Sequence, residues 1–256
     1  MTNDTGQQPL EAAEFLTALD SSLPNALTAC PGRTVHTLAA HVTGTYYEIT
    51  RHVDNYMAGT PLQRTRTFDE REPEFRVLSA PDLMRAFEEG ERRMRASLAE
   101  LFDKEPDPVL LWTKRQAHAT SFIKHQRDEC AVHRWDLVGG DEISEKLLSQ
   151  EELFMHVVNF IGPLPMTARG IATGAGFGAP LQARIRATGQ PDLLVTVNRG
   201  QPSIAAVEPA GEALIEGDPA ARLLFMWGRR ATPFGRLLCH GTAEELSRVQ
   251  WLLSGY

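Results

Sequence analysis

The spacing of apolar residues changes part-way along this chain, and that change constrains the fold more than any other feature. As far as about residue 138, apolar side chains recur every three or four positions. Beyond residue 181 they recur at every second position. The first pattern belongs to helices that bury one face, the second to strands that bury one face. An α+β chain follows, with its boundary at the composition shift near residues 145–150. The 256 residues suffice for two modest domains, expected at 1–147 and 148–256.

In the first part, Leu10, Ala13, Phe15, Leu16 and Leu19 mark a helix over about 9–21. Val35, Leu38, His41, Val42, Tyr46, Ile49 and Val53 mark a second over about 34–57. Residues 62–78 are charged and carry little periodicity, so they read as a loop. Ser79 and Pro81 open a third helix that runs to about residue 102. A fourth covers about 119–138 and stops at Gly139-Gly140. Four such stripes are buried by packing against one another as a four-helix bundle.

In the second part, Ser149 and Glu152 have the spacing of a capping box for a helix over 149–161. Residues 173–179 are rich in Gly and Ala and read as a flexible crossing. They lack the Lys-Ser/Thr ending of a phosphate loop. Alternating runs at 181–187, 193–197, 204–207 and 213–215 read as strands. Asp218-Pro219 opens a helix to about Trp227, residues 236–239 suit another strand, and Thr242 with Glu245 caps a final helix to about residue 253. This half is a smaller α+β domain.

The charge balance is 26 Lys+Arg against 33 Asp+Glu, a net −7 at pH 7. With no basic block, the chain is a poor candidate for nucleic-acid binding, because such binding neutralises phosphates. Apolar runs reach about five residues, whereas a spanning helix needs about 20, so no membrane segment is expected. Residues 1–8 are polar and carry no export signal. Cys30, Cys130 and Cys239 are odd in number and widely spaced, which suits free thiols in a reducing cytoplasm.

Glu129 and His133 stand four apart on a helix, so both side chains leave the same face one turn apart. A carboxylate and an imidazole so placed can share a divalent metal; an ordinary i,i+4 contact would look the same. His41 is the best third ligand, since it interrupts an apolar stripe and a core histidine needs a partner. A hydrogen-bonded core histidine is the alternative. His52 lies on the same face but about 16 Å along the helix. His36, His118, His125, His156 and His240 lack a matching pattern and read as surface or structural. Two imidazoles and one carboxylate leave a fourth position open, as catalytic zinc sites do, and iron(II) or nickel accept the same ligands. Cys130 points about 100° away from Glu129 and reads as a packed apolar residue. Arg229 and Arg230 follow a helix end. They read either as cations at a C-terminus or as a clamp for a carboxylated substrate.

The segments Leu38-Ala39-Ala40-His41-Val42-Thr43-Gly44 and Glu129-Cys130-Ala131-Val132-His133-Arg134-Trp135-Asp136 resemble the mycothiol-dependent maleylpyruvate isomerase family, a branch of the DinB-like metalloenzymes. Residues 215–224, with Trp227-Gly228-Arg229, resemble its C-terminal domain. The resemblance implies a DinB-like four-helix bundle holding a divalent metal, usually zinc, on His41, Glu129 and His133. It implies a sterol-carrier-protein-like second domain, from which Arg229 reaches the active site. Arg134 and Asp136 take supporting roles. The cosubstrate it implies is a low-molecular-weight thiol, mycothiol, whose thiolate adds to a small electrophile. The thiol then stays attached, as in S-transfer, or leaves after rotation about the former double bond, as in the isomerase. S-transfer is the expectation, with isomerisation as the alternative. A thiol-independent metalloenzyme and a non-catalytic binding module are further readings. A monomer or small homo-oligomer is expected. Residues 62–78 and 173–179 have no counterpart in the resemblance and are candidates to line the substrate site.

Overall fold

In the computed structural model, residues 8–61, 63–113, 115–163, 179–229 and 236–253 are described. The chain forms two compact units, 1–141 and 142–256. The first is helical, the second carries a five-stranded sheet, so the chain is α+β.

Four long helices build the first unit: α1 (Leu10–Asp20), α2 (Val35–Met57), α5 (Ala80–Lys104) and α6 (Thr120–Val138). Their ends follow from local chemistry. The Thr34 hydroxyl accepts the Thr37 amide and the Ser79 hydroxyl accepts the Asp82 amide, each satisfying a donor the helix leaves open. Gly139, at φ +81°, ends α6 in a conformation that a Cβ would disfavour. The helix α2 packs along α5 and also against α6, and α1 packs along α6. Between them Phe15, Tyr46, Phe87 and Phe122 are buried. Phe87 meets Phe15 at 5.5 Å and Tyr46 edge-on at 5.1 Å between ring centres.

Residues 62–78 are not simply a loop. They contain two single-turn helices, α3 (Phe68–Arg71) and α4 (Pro73–Arg76), both lying on α2. Gly44 permits this, because a Cβ there would stand 3.2 Å from the Arg71 carbonyl oxygen. A hairpin of β1 (Val109–Trp112) and β2 (Arg115–His118) precedes α6 and buries Leu110, Trp112 and Ala117. Four-residue strands are too short to announce themselves by alternation.

The second unit opens with α7 (Glu142–Leu148), which the sequence reading placed in no element. The next helix, α8 (Glu151–His156), continues as a π turn over Val157–Ile161. Its N-cap is Gln150, without a side-chain cap bond, and not Ser149. The Ser149 amide instead completes α7 by donating to the Glu145 carbonyl. Then come β3 (Leu181–Ala187), β4 (Asp192–Asn198), β5 (Gln201–Val207), β6 (Ile215–Gly217), α9 (Pro219–Met226), β7 (Leu237–Cys239) and α10 (Ala243–Leu253). The strand order is β5-β4-β3-β6-β7, antiparallel except for β3 with β6. Leu181, Ala183, Ile185 and Ala187 face inward with Leu193, Val195 and Val197, as the alternation required. Both α9 and α10 pack against β3. The expected Gly-rich crossing lies outside the described residues, except for Ala179. Among the described residues, no helix is long and apolar enough to cross a membrane.

Candidate metal centre

Three side chains from two helices converge inside the first unit. His41 comes from α2; Glu129 and His133 come from α6, one turn apart. All are buried, at 7, 6 and 4 % exposure. Glu129 Oε2 lies 3.1 Å from His133 Nε2 and 3.5 Å from His41 Nε2. One ligand atom from each residue lies within 4.8 Å of the others. The two imidazoles stand edge to face, with ring centres 5.4 Å apart.

The other nitrogen of each ring is held by a carboxylate. His41 Nδ1 meets Glu72 Oε1 at 2.7 Å, and His133 Nδ1 meets Asp136 Oδ2 at 2.8 Å. A carboxylate accepts at Nδ1 only from an N–H, so in the neutral form of each ring the Nε2 lone pair faces Glu129 and is open to a metal ion. Histidines that bind metals are oriented in this way, and the carboxylate raises their basicity. Glu129 Oε2 is buried and has no hydrogen-bond partner, which costs about 1–3 kcal/mol when nothing compensates. A divalent cation shared with the two Nε2 atoms would satisfy it. The donor set therefore fits such an ion.

The electrostatics follow from burial and these contacts. Burial pushes Glu129 up, but the imidazoles of His133, His41 and His125 outweigh it and hold the carboxyl well below its usual range. His133 is lowered by burial and raised overall by Asp136 and Glu129. Glu72, fully buried, is raised by burial but brought down to about 2 by His41, Arg33 and Arg76. Arg33 holds it through two bonds of 3.0 and 3.2 Å. Burial lowers His125 to about 4.

Several residues at the centre were not singled out from sequence. Glu72 sits between α3 and α4, in a segment without periodicity. Phe68 places its ring edge-on to His41 at 4.9 Å, and Arg71 and Arg33 place guanidinium groups 5.0 and 5.6 Å from the same ring. His125, read as surface or structural, is buried with Nε2 3.6 Å from Glu129 Oε1. A signal for it existed: His125, Glu129 and His133 are spaced i, i+4, i+8. Cys130 is fully buried against the Tyr46 hydroxyl at 3.3 Å, and burial pushes its thiol well up. It is packed as a small apolar side chain would be. Cys30 comes within 4.8 Å of the His133–Asp136 pair. Arg134 pairs with Asp141 at 2.6 Å.

Arg229 belongs to the second unit. It follows the C-terminal turn of α9, where Gly228 adopts φ +72° and the Arg229 amide donates to the Leu224 carbonyl. That is a Schellman ending. The guanidinium donates to the Trp227 carbonyl at 3.0 Å. Arg230 lies outside the described residues.

The fold has counterparts among known proteins. The chain matches two solved structures: a mycothiol-dependent maleylpyruvate isomerase (TM-score 0.58, 15 % identity, 90 % of this chain and 89 % of that one) and a histidine-to-alanine mutant of a mycothiol-dependent maleylpyruvate isomerase (TM-score 0.56, 15 % identity, 86 and 85 %). At this identity the likeness speaks for the fold. A comparison with curated protein sequences finds no match. The model of the mycothiol maleylpyruvate isomerase N-terminal domain matches residues 9–138, which span all four long helices and the whole triad. By that match, the chain belongs to the mycothiol-dependent maleylpyruvate isomerase family.

Proposed function

We propose that this chain is a metal-dependent enzyme, zinc by preference, that uses mycothiol to isomerise a small cis-unsaturated keto acid of the maleylpyruvate type. The observation that carries the reading is the convergence of His41 Nε2, His133 Nε2 and Glu129 Oε2, with both Nδ1 atoms held by carboxylates. A divalent cation held there supplies Lewis acidity and favours the thiolate form of an incoming thiol at neutral pH.

The chain's own residues do the rest. Glu72 and Asp136 fix the tautomer and direction of the two imidazoles. Phe68 and the bundle core keep water away from them, which strengthens every charge interaction at the centre. Arg229 is proposed to hold a substrate carboxylate. The thiolate sulfur adds to the alkene carbon β to the ketone, and the alkene electron pair moves through the α carbon to the enolate oxygen. The former double bond then turns as a single bond. Collapse of the enolate expels the thiolate and leaves the trans alkene, with no net change in atoms.

The S-transfer reading shares the centre and differs in the last step, where the thiol stays on the product. Mixing the protein with mycothiol and maleylpyruvate separates the two. Fumarylpyruvate with mycothiol recovered is the expected result. A stable thioether would establish transfer, and turnover without thiol would establish a thiol-independent metalloenzyme. Three free cysteines suit action in the reducing cytoplasm.

A further inference from the structure

Arg71 stands out at this centre as a buried cation without a matched anion. It is 5 % exposed, on a one-turn helix laid over α2. Its Nη2 donates to the Thr45 hydroxyl at 3.2 Å, and Thr45 in turn donates to the His41 carbonyl at 3.0 Å. Its Nε is buried and has no hydrogen-bond partner. No carboxylate among the described residues lies within ion-pair distance of it. The other arginines in comparable positions donate through both Nη atoms, although the Arg222 Nε is likewise without a hydrogen-bond partner. Arg33 has Glu72, Arg134 has Asp141, and Arg222 donates to the Pro191 carbonyl and Gln190 Oε1.

Burial lowers Arg71, and the field of Glu129, more than that of Glu48 or Glu72, sustains its charge. The guanidinium also lies 5.0 Å from the centre of the Phe68 ring, whose edge contact with His41 is 4.9 Å. Phe68 itself is 49 % exposed. The ring therefore links surface, cation and metal-site histidine. A guanidinium held in this way, with its Nε donor unused, can receive one oxygen of a planar anion.

We propose that Arg71 is a carboxylate-binding residue of this centre and selects anionic over neutral electrophiles. The inference rests on the reading of the triad as the reaction centre. It deepens that reading by naming the substrate class and a residue that recognises it.

The test uses the full-length, metal-loaded protein and two probes of like shape: maleate, and maleamide as its neutral counterpart. Both are titrated calorimetrically into wild type, Arg71→Met and Arg71→Lys, with metal content measured on each. Wild type is expected to prefer maleate. Arg71→Met should weaken maleate at least about 30-fold, leave maleamide within about twofold, and keep its metal. Arg71→Lys should recover part of the loss. Equal maleate affinity in wild type and Arg71→Met overturns the assignment, as does a wild type that does not distinguish the probes. Loss of metal from both variants also overturns it, since Arg71 would then be a support of the triad. If the protein fails to isomerise maleylpyruvate with mycothiol but still binds maleate through Arg71, the proposed reaction falls and the carboxylate site stands.

Discussion

Glu72 accepts a hydrogen bond from His41 Nδ1 at 2.7 Å, although 31 positions separate the two residues and different elements carry them. The same carboxylate gathers Arg33 and Arg76. It thus ties the segment between α2 and α5 to the imidazole that faces Glu129. Glu72→Ala is expected to weaken divalent-metal affinity about 10- to 100-fold, read by competition with a chromophoric chelator. Unchanged affinity would remove Glu72 from the centre.

Gly44→Val tests how that segment is seated. A Cβ at this position meets the Arg71 carbonyl at 3.2 Å and Phe75 at 3.6 Å, and a branched side chain extends further. Overpacking of this kind costs about 1–3 kcal/mol. The variant should lose stability, and metal affinity should fall with it as Glu72 is moved from His41. A variant with wild-type metal affinity would show that the seating of α3 and α4 on α2 does not matter to the site.

In the second unit, Asp192 is fully buried and accepts from Arg184 at 2.9 Å and from Arg186 at 2.8 and 3.1 Å. Burial raises its carboxyl, but the two arginines outweigh this and lower it overall. A carboxyl lowered by folding stabilises the fold fully above its unfolded value, about 3.9, and loses that contribution as pH falls through the folded value. Asp192→Asn should therefore cost about 2 kcal/mol at neutral pH. Urea unfolding at a series of pH values should show the gap narrowing below about pH 3.9. A gap independent of pH would contradict the ion pairing.

The three cysteines should separate by reactivity. Cys239 is exposed, whereas Cys130 is buried with its thiol pushed up. A thiol-directed reagent at pH 8 should label Cys239 promptly and Cys130 only on unfolding. Cys130→Ala should keep wild-type turnover. A large loss of kcat in that variant would restore Cys130 as a nucleophile.

These residues also mark where the sequence was readable. The helix α2 stood out by its long apolar stripe, α5 by its start at Ser79 and Pro81, and α6 by its stop at Gly139. The Glu129–His133 pair was visible in its four-residue spacing. His41 joined it through its place in an apolar stripe and through the family resemblance, since local spacing carries nothing about how two helices meet. Glu72, Phe68 and Arg71 lie on or between turns of four residues, shorter than the periods that reveal a helix. Their positions depend on a glycine in another element. The hairpin over 109–118 escaped for the same reason of length. The cap expected at Ser149 went to Gln150 because Ser149 is used to close α7.

His41, Glu129 and His133 are proposed to hold one divalent metal ion together. Elemental mass spectrometry on untagged wild type and His41→Ala tests it most directly. About one ion per wild-type chain is expected, zinc by preference, with its loss from a variant that still folds. Wild-type protein that takes up no metal after incubation with zinc, or a His41→Ala variant that keeps a full equivalent, would contradict it.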